Sequence, residues 1–202
     1  VSSVLAKNPD VVCMATSFYV TPIMEQLYHQ GYKGKIISCT LDYYDEIIAK
    51  TSKDFVNGTI YQFPDFDDPR LNDENVNFPD PNGFDAKFRS AHPNDWSAVA
   101  WEYPANLYNW IEGAKAAGSI DSTEVLRALK RENNPSFVFG GGRWWGKELW
   151  GRNSVIVGNW PVVVIEDGKA RIQEYGSVTA WLDQHSGVLA KYMKSHGLRV
   201  VS

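Results

Sequence analysis

The chain of 202 residues has only two cysteines, Cys13 and Cys39, and four histidines, and its longest apolar runs are a few residues. Two cysteines make no disulfide framework and no thiolate metal site, and a single potential bridge says little about redox compartment. A spanning helix needs about 20 apolar residues in a row, so none is expected. Positive charge is not in excess either, with 20 Lys and Arg against 24 Asp and Glu, a formal balance of −4. Without a basic cluster there is little counterion release to drive phosphate binding, and nucleic acid is not an expected partner. His29, His92, His185 and His196 are scattered, no two at metal-ligand spacing on one element, and read as surface or helix-end residues. Gly-x-Ser-x-Gly is absent and neither cysteine has a histidine beside it in sequence, so no catalytic residue is assigned.

What is present is a composition of 44% apolar and 22% charged residues, suited to one or two globular domains. The opening residues, Val1 to Val12, show neither an initiator Met nor a signal-peptide pattern and read as the end of a helix running into a strand. The expectation is that the true N-terminus lies upstream.

Residues 10 to 16 form a short apolar run after Asn8-Pro9, the pattern of a strand buried on both faces. Ile23, Met24, Leu27 and Tyr28 recur at helical spacing, and Gly31 stands where a helix would stop. A second strand over 35 to 39, a helix over about 43 to 50 and a third strand over 59 to 63 complete a strand-helix alternation. Parallel strands require such crossovers, so the predicted fold is an open, doubly wound α/β sheet.

Residues 64 to 83 carry four prolines and six acidic residues with only Arg70 opposed, and read as a solvated acidic loop crossing between two bodies. Helices are expected over 84 to 89 and 96 to 117. The second should place Val99, Tyr103, Leu107, Trp110 or Ile111, and Ala114 on one stripe, with Pro104 kinking it or marking its start. Asp121 and Glu124 resemble a capping box for a helix through Val125, Leu126 and Leu129, closed by Asn133-Asn134-Pro135. Gly140 to Gly146 lacks both the phosphate-loop ending and the dinucleotide spacing. Trp144, Trp145 and Trp150 read as packing rather than as a stacking platform. Asp167-Gly168 between β-rich runs marks a hairpin, because both central positions of a type I′ turn need positive φ. An amphipathic helix over about 177 to 196 ends the chain. Asn57-Gly58-Thr59 matches a glycosylation acceptor, a common three-residue pattern.

In open α/β sheets ligands bind beyond the carboxyl ends of the strands. Ser17, Phe18 and Tyr19 follow the first strand, and Thr40, Leu41, Asp42 and Tyr43 follow the second, on the same edge. Amides at the helix start after Tyr19 and the Ser17 hydroxyl suit an α-carboxylate. Asp42 suits a ligand ammonium, or else caps the following helix for about 1 kcal/mol. Cys13 and Cys39 are expected as free thiols, because bridging neighbouring parallel strands strains disulfide geometry.

The order and spacing of Asn8-Pro-Asp-Val-Val, Ser17 to Tyr19, Gly31-Tyr-Lys-Gly-Lys-Ile-Ile, Val56-Asn-Gly-Thr-Ile, Trp101-Glu-Tyr-Pro-Ala, Ala117-Gly-Ser-Ile-Asp and the Asp167-Gly168-Lys169 turn resemble the C-terminal portion of the type I periplasmic solute-binding proteins of ABC transporters. The resemblance, to the branched-chain amino-acid, amide and urea receptors, implies two α/β lobes closing on a ligand in the cleft. It assigns residues 1–63 and 150–202 to the C-terminal lobe, 64–83 and 136–149 to crossings, and 84–135 to helices of the N-terminal lobe. It implies ligand contacts from Ser17, Phe18, Tyr19, Thr40, Asp42 and Tyr43. Either Thr40 or Asp42 matches the family's acidic position for a ligand amine, and Thr40 there would speak against an amino-acid ligand. The implied partners are a small amino acid, amide, or aromatic or other organic acid, and an ABC permease in the membrane. No cofactor or metal is implied, and the location is periplasmic or extracellular. A ligand-sensing domain of a regulator is the alternative, and a small α/β hydrolase using Asp42 and a histidine is the enzyme rival.

Overall fold

The computed structural model describes residues 1–16, 18–39, 41, 43–72, 80–93, 102–132, 135–137 and 139–201. The chain divides into two compact units, one of Val1–Leu71, Asp80–Ala100 and Pro161–Tyr175, the other of Asn72–Pro79, Trp101–Trp160 and Gly176–Ser202.

In the first unit, α1 (Ser2–Leu5) precedes β1 (Val11–Met14), α2 (Val20–His29), β2 (Lys35–Ser38), α3 (Tyr44–Lys50), α4 (Lys53–Val56) and β3 (Ile60–Tyr61). β1 and β2 are parallel, with Val12 opposite Ile36 and Met14 opposite Ser38, and β3 joins β2 in the same sense at Ile37 and Ile60. Val20, Met24 and Leu27 recur at helical spacing on α2 and are buried, the apolar stripe that holds this crossover helix in place. α2 also packs on α3, as it should when two crossovers of one hand carry the chain across the sheet in one direction. The core is completed by Ile36, Ile47, Val56 and Tyr61. Cys13 and Cys39 are free and exposed.

The hairpin falls where the sequence puts it, with φ of 49° at Asp167 and 75° at Gly168 between β6 (Val155–Glu166) and β7 (Lys169–Ser177). The tip belongs to the first unit, where β6 runs antiparallel to β3, Ile60 facing Val164, and β7 pairs with β6. Its sequence alternates as a strand with one buried face should, and Val163, Ile165, Ala170 and Ile172 are buried.

The acidic segment departs from the expected solvated loop. Residues 65 to 70 run along β7 and occupy its backbone: Asp65 N donates to Ala170 O at 3.0 Å, Asp65 Oδ2 accepts from Ala170 N at 3.1 Å, and Asp68 Oδ2 accepts from Ile172 N at 2.7 Å. A one-turn 3₁₀ helix, Pro69–Asn72, follows, and Tyr175 Oη donates to Arg70 O at 3.0 Å. Carboxylates that look destined for water are thus used as backbone acceptors, and Asp68 is only 2% exposed.

α5 (Pro81–Ala91) is capped by Asp80, whose Oδ1 accepts from Gly83 N at 3.0 Å. Phe84 on this helix lies against Phe66, ring centroids 5.7 Å apart.

The second unit contains α6 (Glu102–Ala117), α7 (Ser122–Glu132), β4 (Ser136–Phe137), β5 (Gly140–Trp145), α8 (Lys147–Trp150), the start of β6, the end of β7 and α9 (Val178–Ser195). Residues 94 to 101 lie outside the described residues, so the helix start expected at 96 is not among them. Pro104 is the third described residue of α6. Of the expected apolar stripe, Leu107 and Trp110 are exposed, the alternative Ile111 and Ala114 are half-buried, Val99 and the Tyr103 side chain lie outside what is described, and among the described residues of α6 the buried position is Gly113. A Cβ there would lie 2.7 Å from Leu129 Cγ and 2.9 Å from Val125 Cγ1, so the absent side chain lets α7 approach. Asp121 Oδ1 accepts from Thr123 N and Glu124 N at 3.0 and 3.1 Å, capping α7. On α7, Val125 and Ala128 are buried while Leu126 is exposed, one position off the expected set.

The glycine-rich stretch is a strand, β5. Gly142 pairs with Gly158 across β5 and β6, and a Cβ on either would meet Phe137, at 3.2 and 2.5 Å. Trp145 is buried edge-to-face on Trp150 at 5.7 Å, and its Nε1 donates to Asp183 Oδ1 on α9 at 3.2 Å. Trp145 therefore packs, against Trp150 and onto α9.

Candidate functional site

β1 and β2 end side by side, Met14 opposite Ser38, and Cys39 N extends the ladder by donating to Met14 O at 3.0 Å. The two loops expected to hold ligand therefore leave the sheet as neighbours at the carboxyl ends of parallel strands. Each hands over to a helix at a tyrosine: Tyr19 is the N-cap of α2 and Tyr43 the N-cap of α3, and neither side chain caps its helix. Phe18, Tyr19 and Tyr43 are 90%, 67% and 52% exposed. Between them Leu41 is fully buried and anchors the second loop, with Tyr44 N donating to Leu41 O at 3.1 Å. Ser17, Thr40 and Asp42, the other three residues singled out, lie outside the described residues.

Exposed aromatic rings at one sheet edge present apolar faces and phenolic donors to whatever enters, which suits a small ligand with an apolar body and polar ends. Among the described residues no group of three His, Cys, Asp or Glu side chains is placed to hold a metal ion.

Sequence reasoning missed the polar network behind the second loop. Tyr44 Oη donates to Asp65 Oδ1 at 2.5 Å. Burial, then the bond to Asp65, raises the Tyr44 hydroxyl far above its ordinary range and keeps it a donor. Burial likewise pushes the Asp65 carboxyl up, against the hydrogen bonds from Tyr44 and Ala170 N. Its neighbour behaves oppositely: the hydrogen bonds from Arg171, at 2.6 and 3.2 Å, hold Asp67 down at about 2, helped by Lys169 at 3.0 Å. A cleft of about 340 Å³ opens among Tyr44, Asp65, Asp67, Arg89 and Lys169. The alternation of Lys169 and Arg171 on one face of a hairpin strand, opposite in charge to Asp65 and Asp67, is the signal that could have found this network.

The glycosylation pattern is folded away: Asn57 Oδ1 accepts from Gly168 N at 3.0 Å and Thr59 is 2% exposed.

Solved structures share this fold. A possible leucine/isoleucine/valine-binding protein from Rhodopirellula baltica SH 1 superposes with a TM-score of 0.61 at 13% identity, over 86% of this chain and 45% of that one. An extracellular ligand-binding receptor from Rhodopseudomonas palustris HaA2 gives 0.59 at 18% identity, over 86% and 50%. The branched-chain amino acid transporter substrate binding protein LivJ from Streptococcus pneumoniae str. Canada MDR_19A, in complex with isoleucine, gives 0.52 at 16% identity, over 84% and 44%. At these identities the likeness is one of fold, the mixed α/β fold of type I periplasmic binding proteins. The periplasmic binding protein family model matches residues 1–168, and the chain belongs to that family. No curated protein matches it. The chain spans about half the length of the solved structures it matches. The family implies an extracytoplasmic location, and no described helix is long and apolar enough to cross a membrane.

Proposed function

We propose that this chain is the ligand-holding portion of a non-enzymatic solute-binding receptor that delivers a small amino acid or organic acid to an ABC permease. The observation that carries this reading is the pair of neighbouring loops at the carboxyl ends of β1 and β2, bearing exposed Phe18, Tyr19 and Tyr43 in a chain of the periplasmic binding protein family. The isoleucine held by a protein of the same fold supports an amino acid with an apolar side chain as the first candidate. In this reading Ser17 and the amides at the start of α2 hold the ligand carboxylate. The phenyl and phenol rings cover its body, and Asp42 or Thr40 faces its other end. Closure of two lobes then buries the ligand, and micromolar affinity requires only about −8 kcal/mol, within reach of a few charge-assisted hydrogen bonds and one stacked ring.

The test is a thermal-shift panel on the full-length protein with leucine, isoleucine, valine, short amides, urea and aromatic carboxylates. A rise with one class identifies the substrate class. No rise with any of them removes the receptor reading. A titration then locates the site: Tyr19→Ala and Asp42→Ala should each weaken binding with the fold intact, the first by about three- to ten-fold, the worth of one aromatic contact. Unchanged affinity in both would place the ligand elsewhere.

A further inference from the structure

Tyr44 opens α3 immediately behind the second loop, and its hydroxyl reaches across 21 positions of sequence to Asp65 at 2.5 Å. Asp65 is held on both sides, its backbone N on Ala170 O at 3.0 Å and its Oδ2 on Ala170 N at 3.1 Å. Further along the same segment, Asp68 grips Ile172 N, and Tyr175 Oη donates to Arg70 O at 3.0 Å. The chain leaves the first unit immediately after this lacing, at Leu71 and again at Tyr175. At the other end, Tyr44 N donates to Leu41 O at 3.1 Å and Ile47 N to Tyr43 O at 3.1 Å, so whatever fixes Tyr44 fixes the base of the loop.

We propose that Tyr44 and Asp65 are positioning residues for ligand binding, their hydrogen bond tying the base of the second loop, at Leu41 and Tyr43, to the segment laced onto β7. A phenylalanine at 44 would fill the same space and lack only the tether. The tether sets where Tyr43 stands before ligand arrives. This role rests on the receptor reading, and its test separates the two.

Two measurements are made on the full-length protein. In the absence of ligand, hydrogen exchange of the Tyr44 and Ile47 amides should speed up about five-fold or more in Tyr44→Phe, while the amides of β1 and β2 keep their protection. Calorimetry with leucine and isoleucine as probes should show binding weakened by about two- to thirty-fold, the range of coupling through a contact that does not touch ligand. In an Asp65→Ala background, adding Tyr44→Phe should change affinity no further, because the partner is already gone. Unchanged exchange in Tyr44→Phe, or faster exchange with unchanged affinity, overturns the positioning role while leaving the receptor intact. If neither probe binds the unsubstituted protein, the amino-acid receptor reading fails and the positioning role falls with it. The exchange result still shows whether Tyr44 anchors α3.

Discussion

Asp67 and Asp68 are adjacent and do opposite work. Asp68 is buried and spends its carboxylate on backbone amides, Ile172 N at 2.7 Å and Arg70 N at 2.9 Å. Asp68→Ala would leave the Ile172 amide buried without an acceptor, a loss of about 1–3 kcal/mol, measurable as a lower urea midpoint. Asp67 is half exposed and faces Arg171 and Lys169, so its worth is electrostatic and screened, at most about 1 kcal/mol. Its folded value of about 2 lies below the ordinary 3.8, so it stabilises above pH 3.8 and that contribution disappears as pH falls through about 2. Asp67→Asn should therefore lose less stability than the unsubstituted protein between pH 4 and 2, seen as a shallower fall in urea midpoint. Asp65 runs the other way: a carboxyl raised by burial favours its protonated form in the folded chain, so it opposes folding at neutral pH and opposes it less as pH falls.

Elements whose determinants are local were legible in the sequence. The hairpin follows from two residues able to take positive φ, α2 from one apolar stripe, and α7 from Asp121 at its start. Elements decided by distant partners were not. Asp65 and Asp68 meet β7 from 105 and 104 positions away, and composition alone reads such residues as solvated. Gly142 hid a strand because its lack of a side chain answers to Ile156 and Phe137, a packing requirement with no periodicity. Gly113 misled the stripe on α6 in the same way. Gly113→Ala would gain roughly 0.5–1 kcal/mol of helix propensity, but its Cβ falls against Val125 and Leu129, and overpacking of that kind costs about 1–3 kcal/mol. The clash should win, lowering the melting temperature, whereas a glycine-to-alanine change on an exposed helix face would raise it.

At the scale of the whole molecule, the family was readable because strand-helix alternation and order of motifs carry it, and the family match over residues 1–168 bears this out. The ligand was not readable from this chain, which spans about half the length of its solved counterparts. Linkage gives the molecular-scale check: a ligand at 100 times its dissociation constant adds about 2.7 kcal/mol to the stability of the full-length protein. At that same concentration Tyr19→Ala should show a visibly smaller rise in melting temperature, while its ligand-free melting temperature stays put. The free thiols have a practical meaning of their own. Cys39 is exposed and stands one residue before the second loop, so in a Cys13→Ser background it accepts a maleimide dye without any engineered attachment point. Under the proposed receptor function, an environment-sensitive fluorophore placed there makes an optical sensor whose emission follows the arrival of solute.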